Sequence, residues 1–253
     1  MLNSFQSLSI IFLCVAGSLL FMWALNRVWP REQRREHNDQ IGWQLTALGT
    51  TYAVILGFML YAVWTTFGVA EVNVDLEANA LVNVYRLSAG LPEPQRDELQ
   101  GLSRAYADAA IHEDWPQMAS EEVPGESTEI NANMWRTLMS LKTASPTEVI
   151  AQDHALYELS ALTEHRRTRI LQSTSRLPAV LWCVLIVGGA LTVASACLFG
   201  SGNWILHSLQ VFAFSLLIAL CLTAIAQINR PFQGAVRVSN YAFLRAQDNM
   251  RMP

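Results

Sequence analysis

Three stretches of this 253-residue chain contain no Asp, Glu, Lys or Arg. They cover residues 1–26, 40–70 and 177–229, and are 26, 31 and 53 residues long. A bilayer core takes about 20 apolar residues per helical crossing. The first two stretches therefore fit one span each. The third fits two, divided at the turn Gly200-Ser201-Gly202-Asn203. All 38 charges fall in the other 143 residues, which have an ordinary soluble composition. A soluble enzyme is excluded by this pattern.

The four spans are expected near residues 8–28, 42–68, 178–199 and 204–228. The first is read as a retained helix, since no Lys or Arg precedes it and no A-x-A site follows. It ends at Arg27-Val28-Trp29-Pro30-Arg31, an interfacial Trp followed by a helix-stopping Pro. Residues 31–39 read as a short charged loop. Nothing stops the second span. Val69, Val72, Leu76, Ala80, Val84 and Leu87 recur at spacings of three and four, so its helix continues out of the membrane.

Beyond Gly90 the chain reads as further helices. Residues 94–115 carry Leu99, Leu102, Tyr106 and Ala109 on one face, and residues 129–143 carry Ile130, Met134, Leu138 and Leu141. An acidic loop, 116–128, separates them. Ser145-Pro146-Thr147-Glu148 is a capping-box start with Pro at the first helical position. The helix it opens runs toward Ile170 and Leu177. No segment reads as a strand. The expected fold is all-α: four transmembrane helices, with a helical module between spans two and three. The expected domains are spans one and two (1–70), the module (71–176) with helices continuous with spans two and three, spans three and four (177–229) and a cytoplasmic tail (230–253).

Charge bears on partners and on orientation. Residues 71–176 hold 17 acidic and 9 basic side chains. That is a solvated surface, or one that concentrates or repels ions at a pore mouth. There is no basic patch for nucleic acid. Eight Arg near span ends lie on the side of the termini and module (Arg86, Arg166, Arg167, Arg169, Arg176, Arg230, Arg237, Arg245). Four lie on the other (Arg27, Arg31, Arg34, Arg35). That bias puts the module and both termini in the cytoplasm.

No catalytic constellation, metal-ligand spacing or phosphate loop occurs, so neither enzyme activity nor a cofactor is expected. The four cysteines (Cys14, Cys183, Cys197, Cys221) lie in apolar spans and read as small hydrophobes. His207, at the start of span four, reads as a solvated interface residue. Span two carries more. Gly49, Ala53 and Gly57 form a stripe suited to close helix packing. Beside it Thr50, Val54, Phe58, Tyr61 and Thr65 mix hydroxyls with an aromatic constriction, as a pore wall does; helix packing with interhelical Thr and Tyr hydrogen bonds accounts for them slightly better on sequence alone. Gly188, Thr192, Ala196 and Gly200 form a packing face on span three. Glu71, Asp75 and Glu77, where span two leaves the membrane, are candidates for a pore mouth or for an ion pair with Arg230.

Several of these segments resemble a bacterial membrane family of unknown function known as bestrophin-like. The resemblance rests on Gly57-Phe58 through Trp64, Glu77-Ala78-Asn79-Ala80-Leu81, Arg166-Arg167 through Arg169, Leu177-Pro178 through Leu181-Trp182, and Arg230-Pro231-Phe232-Gln233-Gly234. It covers nearly the whole chain. An Asp often precedes the Arg-Pro-Phe in that family. This chain has Asn229, which argues against an acid-dependent role there. Bestrophins are pentameric anion channels with four spans, cytoplasmic termini and pore-lining second helices. The resemblance thus implies a homo-oligomeric, pentameric channel in the bacterial inner membrane, its partners being lipid, further copies of itself and inorganic ions, with anions favoured. The competing expectation is a non-conducting membrane sensor or scaffold whose module binds a partner.

Overall fold

The computed structural model describes residues 4–251, so residues 1–3 and 252–253 of the first and last expected segments lie outside it. Ten α-helices follow one another: α1 Ser4–Val28, α2 Arg31–Arg35, α3 Asn38–Leu87, α4 Gln95–Ala109, α5 Trp115–Ala119, α6 Glu126–Met139, α7 Pro146–Thr174, α8 Ala179–Cys197, α9 Trp204–Ile228 and α10 Tyr241–Arg251. Among the described residues there is no strand. Four helices (α1, α3, α8 and α9) are long and apolar enough to cross a membrane. The chain is a membrane protein of all-α architecture.

The chain divides into two compact units. One comprises the residues through Thr65 with Arg176–Asn229. Here α1 packs on α8 and α9, and α8 on α9. Small residues set the approach. The Tyr52 hydroxyl of α3 donates to the Leu185 carbonyl at 2.9 Å. A Cβ on Gly188 would come within 2.8 Å of the Tyr52 ring, so glycine is needed for the ring to lie there. Gln227 Nε2 donates to Ser7 Oγ at 3.0 Å, tying α9 to α1.

The same unit holds its interhelical loops by backbone recognition. Asn38 both donates to the Gly200 carbonyl (3.0 Å) and accepts from the Gly200 N–H (2.9 Å). A Cβ on Gly200 would lie 2.5 Å from the Arg35 nitrogen. The expected 31–39 loop therefore contains a short helix, α2. Its buried Arg34 donates to the Cys197 carbonyl at 2.8 Å and to Asn26. Burial lowers the Arg34 pKa from its ordinary value, and neighbouring Arg31 adds to the effect. His207 corrects the expectation of a solvated residue. It is buried, with Nε2 3.1 Å from the Ala196 carbonyl in the last turn of α8.

The second unit comprises Thr66–Ser175 and the residues from Arg230 on. The outer half of α3 continues without a break. The expected continuity of the module with span three is broken at residues 175–178, where Pro178 precedes α8. Helix α4 packs on α6 and α10, and α6 on α7. Leu99, Tyr106, Met134, Leu138, Leu159, Leu162 and Phe243 fill the interior. The expected 94–115 helix instead passes through a π-turn, Ala110–Asp114, and runs on as α5. Pro116 does not stop it, because Pro lies in the first turn of α5, where its missing N–H is tolerated. The acidic loop shrinks to residues 120–125, and α6 begins and ends earlier than expected. The capping box forms as read: Ser145 Oγ accepts from the Glu148 N–H, and Glu148 accepts from the Ser145 N–H. Hydrogen bonds from the Ala144 and Ser145 backbone lower the pKa of Glu148. The tail is not irregular throughout, since α10 buries Phe243, Ala246 and Met250 on one side.

Candidate functional site

Helix α3 presents two opposite faces. Tyr52, Val63, Phe67, Ala70, Val74 and Glu77 are buried. Thr50, Val54, Phe58, Tyr61 and Thr65 are all exposed on the other side, Phe58 by 66% and Tyr61 by 69%. Among the described residues of one protomer nothing buries this stripe. The neighbouring small residues divide. A Cβ added at Gly49 would lie 4.0 Å from the Thr192 methyl, whereas one at Gly57 would find open space, and Ala53 is exposed. On α8, Gly188 meets Tyr52, Thr192 is buried, and Ala196 supplies the carbonyl for His207.

Farther along α3, Glu71 and Asp75 are exposed, but Glu77 is buried at the centre of a charge cluster. Arg169 of α7 grips it with two bonds, Nε to Oε2 at 2.7 Å and Nη2 to Oε1 at 3.0 Å. The same Nη2 donates to Asp114 Oδ2 at 2.7 Å. Tyr106 donates its hydroxyl to Glu77 Oε1 at 2.7 Å. The guanidinium lies over the rings of Trp115 (5.1 Å) and Phe243 (5.9 Å), where the π faces add attraction. Burial works against the Arg169 charge, yet Glu77 with its hydrogen bonds, Tyr106 and Asp114 together outweigh it and hold the pKa above the ordinary value. Burial, then the Glu77 charge, pushes the Tyr106 pKa well above its ordinary value, so this hydroxyl stays a donor.

A second arginine extends the cluster. Arg166 Nε donates to Ser127 Oγ at 2.7 Å, and Ser127 donates to Asp114 Oδ2 at 2.7 Å. Arg166 also reaches Thr128 and the Pro124 carbonyl, fixing the start of α6. The Arg-Pro-Phe-Gln-Gly segment closes over this region. Phe232 is buried edge-on to Trp115, and Gln233 Nε2 donates to the Met118 carbonyl at 3.2 Å. Gly234 has φ of +81°, a left-handed conformation that glycine adopts without strain. Arg230 does not pair with Glu71 or Glu77. It pairs with Glu121 and with Gln233, because Glu77 already has Arg169. In the membrane unit, Asn229 Oδ1 accepts from the Leu177 N–H at 3.0 Å, a role that needs only a neutral amide.

Sequence reasoning did not identify Asp114, Tyr106 and Trp115 as members of this cluster. The available signals were an acid and a Trp beside a Pro, and a Tyr on an apolar helix face. Among the described residues no group of His, Cys, Asp or Glu forms a metal cradle. The cluster is a buried electrostatic joint between α3 and α7.

Four helices long and apolar enough to cross a membrane, joined to a helical module, make this a membrane protein of all-α fold. The bestrophin-like domain model matches residues 12–243, and the chain belongs to that family. Crystal structures of a bacterial bestrophin homologue from Klebsiella pneumoniae have the same fold. A single-substitution form gives a TM-score of 0.73 at 14% identity, covering 97% of this chain and 99% of that one. A structure of the homologue phased on zinc gives 0.71 at 14% identity, covering 96% of each chain. No curated protein matches the sequence.

Proposed function

We propose that this protein is a homo-oligomeric ion channel, a pentamer on family grounds, with its pore lined by the membrane stretch of α3. One observation carries the reading: Thr50, Val54, Phe58, Tyr61 and Thr65 all stand exposed along one side of α3. A row of hydroxyls interrupted by two aromatic rings suits a lumen whose narrow zone gates by dewetting. Gly57 and Ala53, uncovered in the protomer, suit close packing against another copy. The protein resides in the bacterial inner membrane, with module and termini in the cytoplasm as the arginine bias directs. Anions are assigned from the family alone. Glu71 and Asp75, both exposed, would draw cations if the lumen reaches them. Glu77, buried and paired, has no part in a pore mouth.

Flux from proteoliposomes tests this reading. Phe58→Ala combined with Tyr61→Ala widens and wets the constriction, so ion flux should rise while the oligomer stays intact. Wild-type protein that passes no small ion, with flux unchanged in the double variant, would replace the channel with a scaffold.

A further inference from the structure

Helices α1, α8 and α9 enclose a groove of about 800 Å³ within the membrane unit. Every residue lining it lies in the charge-free runs. Small residues keep it open: Gly17 on α1, Ala190 and Ala194 on α8, and Ala219 on α9. A Cβ added at Gly17 would meet nothing within 4 Å. The wall's three hydroxyls are all spent on their own helices. Ser18 donates to the Cys14 carbonyl at 2.7 Å, Ser215 to that of Phe212 at 3.1 Å, and Thr223 to that of Ala219 at 2.7 Å. An apolar space of this kind does not hold water. What fills it is hydrocarbon.

The two ends of the groove differ. Beyond Phe21 and Val193, the residues Met22, Cys197 and Val211 pack together and shut it. The other end, at Ile10 and Ala226, lies where α1 begins and α9 finishes. Trp182 stands half-buried at that end, and Trp favours the level where lipid meets water. Its indole N–H makes no hydrogen bond among the described residues. The groove runs from Ile10 to Phe21 along α1 and from Trp182 to Ala194 along α8, roughly 16–18 Å of helix. Half of a hydrocarbon core about 30 Å thick is ~15 Å. The groove therefore has the depth of one leaflet. Its side is continuous with the lipid boundary, since Ile10, Leu13, Phe21 and Ile186 are exposed.

We infer that this groove is a binding site for a phospholipid. One acyl chain lies along it, with the methyl end against Met22 and Val211 and the ester carbonyl within reach of the Trp182 N–H. Three helices bound the chain, so it exchanges more slowly than lipid on an open helix face, and it fills the gap that Gly17 and Ala190 leave between α1 and α8. The pore stripe of α3 takes no part, so the site stands whether or not the protein conducts.

The test uses the full-length protein in phosphatidylcholine vesicles containing some phosphatidylcholine with a diazirine at the end of one acyl chain. Irradiation should label Phe21, Ala194 and Ser215, around the shut end, several-fold more than Phe12 and Leu20, which are exposed on α1 outside the groove. In detergent, native mass spectrometry should find one phospholipid retained per protomer. Gly17→Leu with Ala190→Leu fills the groove and should cut that retention by about tenfold, the affinity that two buried methylenes supply. Leu20→Ala should leave it unchanged. Labelling spread evenly over Phe12, Leu20 and Phe21 would overturn the site, as would a folded Gly17→Leu, Ala190→Leu protein that retains as much lipid as the wild type. A shut end that is never labelled, in a protein whose oligomer dissociates on Gly17→Leu, would give the groove to a neighbouring copy instead.

Discussion

The membrane unit and the extramembrane module are both helical, yet they are held together by opposite means. The charge-free runs of the membrane unit rely on glycines that admit a tyrosine ring or a neighbouring backbone, and on neutral hydrogen bonds such as Gln227–Ser7; its buried Arg34 lies in α2, outside those runs. The module buries two arginines and two carboxylates in one network beneath aromatic rings. The contrast follows from the solvent. In lipid, apolar surface gains nothing by leaving its surroundings, so shape and neutral bonds decide association. In water, burial of apolar surface supplies the driving force, and the charge cluster sets which helix sits where. Helix α3 belongs to both regimes: its inner half packs by shape and its outer half is pinned by Glu77.

The largest effect should come from breaking that pin. Glu77→Ala leaves buried Arg169 with only Asp114 to face, and removing one partner of a buried pair costs about 3–5 kcal/mol. A thermal melt in detergent should show it, and a shift below a degree would mean that the cluster is not coupled to folding. Gly200→Ala comes next. The added methyl meets the α2 backbone rather than a flexible side-chain end, so about 1–3 kcal/mol is expected. If the melt is unchanged, the interhelical loops are not packed as described. Smallest is Gln227→Leu in the membrane unit. Neutral interhelical bonds in bilayers average about 0.6 kcal/mol, so the melt should hardly move. A loss as large as that of Glu77→Ala would erase the distinction between the two regimes.

Much of the architecture was legible in the sequence because its signals are local. Charge-free runs mark the spans, the three-and-four spacing beyond Gly68 carries α3 out of the membrane, and Ser145 to Glu148 announces α7. The charge cluster was not legible. Arg169 lies 92 residues from Glu77 and 55 from Asp114, and only tertiary packing decides which acid meets which base. Arg230 shows the limit well: its expected partner was already engaged, and Glu121, from a loop with no regular register, took the place. The π-turn at Ala110–Asp114 has no signal in composition. Helix α10 had a readable signal in Phe243, Ala246 and Met250, weakened by its short length and polar setting. For α3, the sequence pointed to a distinctive stripe but not to what would cover it. The structure adds that the protomer does not.

The account rests on that stripe facing an aqueous path. The direct measurement is thiol labelling of Thr65→Cys in reconstituted vesicles, in a background where the four native cysteines are Ser. A bulky water-soluble thiol reagent should react with the new cysteine and cut ion flux as it does so. Labelling that leaves flux unchanged, or a cysteine that only lipid-soluble reagents reach, would contradict a pore along this face of α3.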